Sequence, residues 1–308
     1  MSKFMSKKGI IFAISAILLM GVVAGCANTD NKNAASASPK ASAPAATTSA
    51  TAAPTASATP IEGTVTASGS SALLPLVKQA ATDFMALNPK VTINVTAGGS
   101  GVGVKNVADG TSDIGNSDVE PAAEYKDKGL VDHQVAIAPF ALVVNKDVNV
   151  DNITKAQAAD IFMGKVTNWK EVGGKDAKIT VVHRPDSSGS RKLVQTIILD
   201  GKDFTKEGLT QETTGAVKTT VASTTSSIGY IDTPYLDDTL KALKIDGVAY
   251  SEDNIKNGSY KLFGVEHMYT KGEAKGAAKA FIDFISSKEF QGKQVRDLKF
   301  LPADLLKK

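Results

Sequence analysis

An α/β fold is predicted beyond Glu62 by two patterns. Short β-branched runs alternate with helical repeats, and several of those helical stretches open on serine and glycine directly after a run that reads as a strand. Strands are expected at Thr64–Ala67, Val91–Thr96, Val135–Ala138, Ala141–Val144, Ile179–Val182 and Ile228–Ile231. Helices are expected after Ser71, Gly101, Ser188 and Glu273. In the first of these, Leu73, Leu74, Val77, Ala81, Phe84 and Met85 fall on one face of a 3.6-residue repeat; in the last, Phe281, Phe284 and Ile285 do so. Both faces are assigned to a core.

The chain has 308 residues, enough for one large domain or two modest ones, and its 42% hydrophobic and 22% charged residues are an ordinary globular composition. The net charge is +3, but the first 60 residues carry five lysines and one aspartate, which leaves the remainder at −1. A near-neutral body with 6% aromatic residues has no basic stripe for a nucleic acid, and that partner is excluded. One cysteine and three histidines (His133, His183 and His267) leave no disulfide and little for a metal centre, so neither metal nor cofactor is expected.

The N-terminus has the pattern of an export signal spanning residues 1–25. Lys3, Lys7 and Lys8 precede an apolar run from Ile10 to Val23, then the small residues Ala24 and Gly25, then Cys26. The alternatives are a plain secretory signal and a short membrane helix with an unmodified cysteine, although the apolar run is short for a membrane span. Residues 26–60 are almost all Ala, Ser, Thr, Pro and Asn, without apolar periodicity, and read as a flexible tether.

Three helix starts share one chemistry. Ser70, Ser71 and Ala72 open the first, in TASGSSALLPL; Ser100 and Gly101 open the second, in AGGSGVGVKNV; Ser188, Gly189 and Ser190 open the third, in HRPDSSGSRKLV, with Arg184 four residues upstream of Ser188. The first amides of a helix lack internal acceptors and sit at the positive end of its dipole, so an oxyanion gains both hydrogen bonds and favourable electrostatics there. Serine hydroxyls add neutral donors, and a guanidinium offers a planar fork to two oxygens. Any one of these loops is also what an ordinary helix cap looks like. Asp118, in TSDIGNSDVEP, sharpens the argument. A carboxylate repels an anion unless the anion carries a proton for it to accept, which phosphate does at neutral pH and sulfate does not. Asp118 as a plain cap or surface partner is the alternative; Asp113 in the same stretch is read as structural.

At these residues the sequence resembles the phosphate-binding proteins of bacterial phosphate-specific ABC transporters, from about residue 62 to the C-terminus. The segments that carry the resemblance are SGSSALLPL, GGSGVGVKNVADGTSDIGNSD, RPDSSGSR and SSIGYID, and Cys26 after Val23-Ala24-Gly25 resembles a lipobox. The resemblance implies a two-lobed type II periplasmic-binding-protein fold, each lobe a mixed sheet flanked by helices, with the ligand in the interlobe cleft. It implies lobes formed by residues 61–139 with 260–308 and by residues 140–259. It also implies phosphate ligands at Ser70, Ser71, Ala72, Ser100, Asp118, Arg184, Ser188, Gly189 and Ser190.

Asp186 is expected to support Arg184 through an ion pair, and Arg191 is left between a further ligand and a solvated first-turn side chain. Two positions depart mildly from the family pattern, Ser71 and Ser190 standing where threonine is usual. A larger departure is Gly264-Val265-Glu266-His267 before Met268-Tyr269, where the family often has an Arg-Pro pair. Glu266 and His267 are expected to form a surface pair, and the same caution about a pH-sensing role covers His183.

The function expected from this resemblance is capture of inorganic phosphate by a monomer. That monomer is held at the outer face of the cell membrane through acylated Cys26 and delivers its ligand to ABC-transporter permease subunits. The alternatives are a binding protein for sulfate, molybdate or a phosphonate, and a phosphate sensor or adhesion protein. An enzyme is not expected, because no serine has a recognisable base or metal pattern beside it.

Overall fold

The computed structural model describes residues 60–307. The signal segment 1–25, Cys26 and all but the last residue of the tether lie outside the described residues.

The described chain begins with β1 (Gly63–Gly69), α1 (Leu74–Leu87), β2 (Val91–Ala97), α2 (Ser100–Asp109), β3 (Ile114–Ser117) and the long β4 (Leu130–Val144). A middle section follows: β5 (Asn152–Ile153), α3 (Lys155–Phe162), β6 (Thr180–His183), α4 (Gly189–Ile197), β7 (Leu209–Thr210), α5 (Thr214–Ser223), β8 (Ser227–Asp232), β9 (Lys241–Ala242), β10 (Lys244–Ile245) and α6 (Glu252–Lys256). The chain then returns through β11 (Phe263–Lys271), α7 (Gly276–Ile285), α8 (Lys288–Gly292) and α9 (Gln294–Asp297). Among the described residues no helix is long and apolar enough to cross a membrane.

Across the main sheet the strands run β2, β1, β3, β11, β4, β8, β6 and β7, with β9 alongside β4. β1 is parallel to β2 and β3, β11 is antiparallel to β3 and β4, and β8 is antiparallel to β4 and parallel to β6. The sheet is therefore mixed and flanked by helices, the class that the alternating pattern predicts.

The two strands expected at Val135–Ala138 and Ala141–Val144 are one strand, β4. Up to Pro139 it pairs with β11; from Phe140 it pairs with β8. Pro139 lacks an amide hydrogen and is tolerated because it sits where the partner changes, and Phe140 resumes the bonding by donating to the Leu262 carbonyl at 2.9 Å. Residues 135–144 are all buried, so the strand has no polar alternation to announce its length. β3 is four residues long and escapes a periodicity search for the same reason.

The apolar faces of α1 and α7 meet over the sheet, Phe84 lying 5.6 Å from Phe281 and 5.5 Å from Phe284 between ring centroids. A second aromatic group, Phe162, Phe204 and Tyr230, fills the space beneath α3 and α4, with centroids 5.7–5.8 Å apart. Strands β1, β2 and β6 each run into a loop and then a helix, which directs three helix N-termini toward the carboxyl ends of parallel strands.

Close backbone packing holds α2 in place. A Cβ at Gly103 would lie 2.6 Å from the Asn116 carbonyl and 2.7 Å from Gly69 Cα, so the helix rests directly on β1 and β3. Gly103→Ala is expected to lower unfolding free energy by about 1–3 kcal/mol, because none of the crowded atoms is the end of a flexible side chain. Urea denaturation of the variant beside the parent protein checks this.

Candidate functional site

Asp118 follows β3 directly and is buried. Its Oδ1 accepts from the Ser70 hydroxyl in the loop before α1, and its Oδ2 accepts from Ser190 Oγ at 3.1 Å in the first turn of α4. Its amide donates to Ser100 Oγ at 3.1 Å, at the start of α2. One residue thus joins all three helix starts singled out in the sequence.

The rest of the constellation closes around it. Ser71 Oγ accepts from the Thr214 amide at 3.1 Å and lies 3.2 Å from Thr214 Oγ1, while the Ser71 carbonyl accepts from the Tyr235 hydroxyl at 2.8 Å. The Gly101 amide donates to the Ser187 carbonyl at 2.9 Å. Ala72 is fully buried. Ser188 caps α4 by accepting from the Arg191 amide at 3.2 Å. Gly189 has no room for a side chain, since a Cβ there would approach Ser100 and come within 2.8 Å of Asp118 Oδ2.

Arg184, just past β6, is buried and anchored from behind. Its amide donates to the Tyr230 hydroxyl at 3.1 Å, Nη1 to Thr214 Oγ1 at 3.3 Å and Nη2 to the Glu212 carbonyl at 2.9 Å. Nε has no partner among the described residues. Burial lowers the guanidinium's proton affinity and the charge of Asp118 opposes that, so it remains a cation with unspent donors.

Two carboxyls that sequence reasoning gave no part in the site stand beside it. Asp232 ends β8 and Glu266 lies on β11; both have 0% exposure, and none of their carboxyl oxygens has a hydrogen-bond partner among the described residues. Burial, and then the charge of Asp118, pushes both well above the usual carboxylate range. Asp232 was visible in the SSIGYID segment as an acid closing an apolar strand, a signal that could have flagged it. Thr214 and Tyr235 carry no such signal and become legible only through their contacts.

Three expectations need correction. Asp186 is exposed and pairs with Arg191, Nε to Oδ1 at 3.1 Å, instead of supporting Arg184. Arg184 points inward, to Thr214 and the Glu212 carbonyl, and its neighbour in sequence reaches solvent. Arg191 is neither free in solvent nor among the contacts of Asp118; its guanidinium lies 4.2 Å from the Phe204 ring centroid and donates from Nη1 to His183 Nδ1 at 3.2 Å. Glu266 and His267 are not a surface pair. Successive residues of β11 point to opposite faces, so Glu266 turns toward Asp118 while His267, also buried, bonds Asp132 at 2.8 Å and stacks on Tyr269.

His183 is buried as well, and burial followed by the charge of Arg191 lowers its pKa below the usual histidine value. Asp113 is structural as expected, its Oδ2 accepting from the Thr66 amide at 2.7 Å and hydroxyl at 2.8 Å.

Comparison with known proteins places this geometry in context. The model of the PBP superfamily domain matches residues 43–289. The chain is 47% identical over 250 residues to the phosphate-binding protein PstS of Bacillus subtilis, covering 80% of this chain and 82% of that protein. Among solved structures, it resembles a phosphate ABC transporter substrate-binding protein with bound phosphate from Clostridium perfringens, at 35% identity and a TM-score of 0.74. That match covers 78% of this chain and 99% of the other. An ABC-type phosphate transport receptor from Vibrio cholerae matches at 27% identity with a TM-score of 0.64, over 77% of this chain and 99% of that one.

Tyr230 offers a test of the support behind Arg184. Burial raises its hydroxyl to about 12, so the stability tied to its neutral form is present below the unfolded value of 10.0 and is lost as pH rises through about 12. Tyr230→Phe is expected to cost about 1–3 kcal/mol at neutral pH by orphaning the Arg184 amide, and to decline less steeply between those two pH values. Urea titrations across the alkaline range measure both effects.

Proposed function

The chain belongs to the PstS phosphate-binding proteins of the periplasmic-binding-protein superfamily, and we propose that it captures inorganic phosphate outside the cytoplasm and delivers it to the permease subunits of an ABC transporter. Its fold is that of the type II periplasmic-binding proteins. The observation that carries the ligand assignment is the convergence of three helix N-termini on one buried carboxylate.

An inventory of hydrogens divides the labour. Ser70 and Ser190 spend their only hydroxyl hydrogen on Asp118, so they position that carboxylate. Ser71, Ser100 and Ser188 accept from backbone amides and keep their hydroxyl hydrogens for ligand oxygens. The amides at Ala72 and Gly189, near the starts of α1 and α4, add neutral donors, and Arg184 adds a charge-assisted pair. Asp118 accepts the proton that phosphate retains at neutral pH. A sulfate oxygen in that position brings lone pair against lone pair, and the site rejects it.

Residues 61–139 with 260–308 form one lobe and residues 140–259 the other. The change of β4 partner at Pro139 and Phe140 supports this division. The contacts Ser71 to Thr214, Asp118 to Ser190 and Gly101 to Ser187 then cross the cleft. Ligand that bridges these same loops favours the closed lobes through contacts that the open state lacks, and the closed form docks on the permease. The chain acts as a monomer and binds without turnover, its buried histidines bonding Asp132 and the Glu207 carbonyl and not a serine. Acylation of Cys26 holds it at the membrane; Val23-Ala24-Gly25-Cys26 supports that anchor.

Calorimetric titration of ligand-stripped protein with phosphate and sulfate tests the assignment. Arg184→Ala is expected to weaken phosphate binding by about 2–5 kcal/mol. Asp118→Asn is expected to shrink the phosphate-over-sulfate preference by about 2 kcal/mol, roughly thirtyfold, since an amide can donate to the oxygen that a carboxylate repels. Unchanged selectivity in the Asn variant contradicts the role given to Asp118.

A further inference from the structure

Glu266 is a buried carboxyl with no structural employment. It sits on β11 at the register shift between Glu266 and His267, where β11 also adjoins β3, the strand that delivers Asp118. The β11–β3 register sets His267 opposite Ser117 and so brings Glu266 beside Asp118, the residue that follows Ser117, and the two carboxyls adjoin. Neither Glu266 oxygen has a hydrogen-bond partner among the described residues, and its exposure is 0%.

Among the described residues, the charged groups that act most on Glu266 are acids. Asp118 faces it from the end of β3 and Asp232 from the end of β8. Arg184, past β6, is set against Asp118 and Asp232. β4 presents Ala136 opposite it, and α4 reaches this part of β11 through Leu193 against Gly264. α2 meets the far end of β11 through Val104 and Val107 against Tyr269. His267, on the other face, is committed to Asp132. An ionised Glu266 here would add a third carboxylate charge opposite the Arg184 guanidinium, in a buried site that must also admit an anion.

We propose that Glu266 is a positioning residue, held as a neutral carboxylic acid whose hydroxyl donates toward Asp118 and so keeps Asp118 ionised and aimed to receive the ligand's proton. The proposal rests on the reading of this site as the phosphate site. It gives the protein a proton of its own at the ligand. Two buried carboxyls side by side are pushed apart in function, Asp118 with two hydroxyl donors as acceptor and Glu266 with none as donor. Burial and the two neighbouring acids raise Glu266 well above its usual range, in keeping with this division. Phosphate brings further negative charge, so binding strengthens the hold on that proton, and wild-type affinity falls where Glu266 begins to ionise.

The test combines Glu266→Gln and Glu266→Leu with calorimetric phosphate titrations from about pH 6 to about pH 10. The glutamine variant retains a donor that cannot ionise. It is expected to bind within about threefold of wild type at neutral pH and to lose the alkaline fall in affinity, together with the proton uptake seen on comparing buffers of different ionisation enthalpy. Phosphate's own titration is common to all three proteins and cancels in the comparison. The leucine variant removes the donor and is expected to bind at least tenfold more weakly, on the order of one hydrogen bond to a charged group. Identical pH profiles and proton counts in wild type and the glutamine variant overturn the proposal.

Carbon-13 NMR of the glutamate carboxyls in wild-type protein reads the protonation of Glu266 directly, whether or not the variants fold. A protonated signal near neutral pH supports the proposal, and an ionised one overturns it. Failure of the wild-type protein to bind phosphate at all defeats the functional reading instead, and the NMR signal of the ligand-free protein still decides the state of Glu266.

Discussion

The hydrogen bonds of Asp118 are the constraint on which the rest of this site depends. Its amide and its two carboxylate oxygens reach Ser100, Ser70 and Ser190, which open three helices that arise far apart in the chain. A carboxylate buried this deeply is tolerable only with donors on its oxygens and a cation near by, and the two hydroxyls and the Arg184 guanidinium meet that requirement. In doing so they bring the three helix N-termini into one place. The glycines serve the same end: Gly103 lets α2 rest on β1 and β3, and Gly189 lets α4 approach Ser100 and Asp118.

The charge balance follows from this. Arg184 is the cation of the cluster, while Asp118, Asp232 and Glu266 could together contribute three negative charges. Burial raises Asp232 and Glu266 well above the ordinary carboxylate range, which favours their neutral forms and lessens the negative charge set against Arg184. An incoming anion then meets a site close to neutrality and is held mostly by amide and hydroxyl dipoles. Such dipoles do not have to be stripped of a tightly bound hydration shell, as a cluster of ammonium groups would. In the proposed reading, selectivity rests on the Asp118 carboxylate and on which anions carry a proton to meet it.

Much of this was legible before any coordinates. Ser and Gly at a strand-to-helix junction are a local signal, so Ser71, Ser100, Ser188 and Ser190 could be nominated from sequence alone. The family resemblance then tied them to Asp118 and Arg184. The α/β class followed from periodicity, and the core faces of α1 and α7 were read correctly because amphipathic helices state their buried side. What escaped depends on the third dimension. β4 was divided because a strand buried on both faces has no alternation, and Pro139 looked like a stop until its neighbours on either side were seen to bond different strands. Closeness in sequence suggests Asp186 as the partner of Arg184, but the two side chains diverge across Pro185, and Asp186 pairs with Arg191. In sequence Glu266 looks like a surface acid because a single charge in a strand is ordinarily solvated; only the pairing of β11 with β3 and β4 brings it into the site.

The most direct test of the central claim is a crystal structure of the protein grown with inorganic phosphate. The account predicts one tetrahedral anion between the starts of α1, α2 and α4, with an oxygen about 2.5–2.7 Å from an Asp118 carboxylate oxygen, the spacing of a hydroxyl donating to an ionised acceptor. An anion seated against Arg184 with Asp118 turned away, or bound outside the three helix starts, would contradict it.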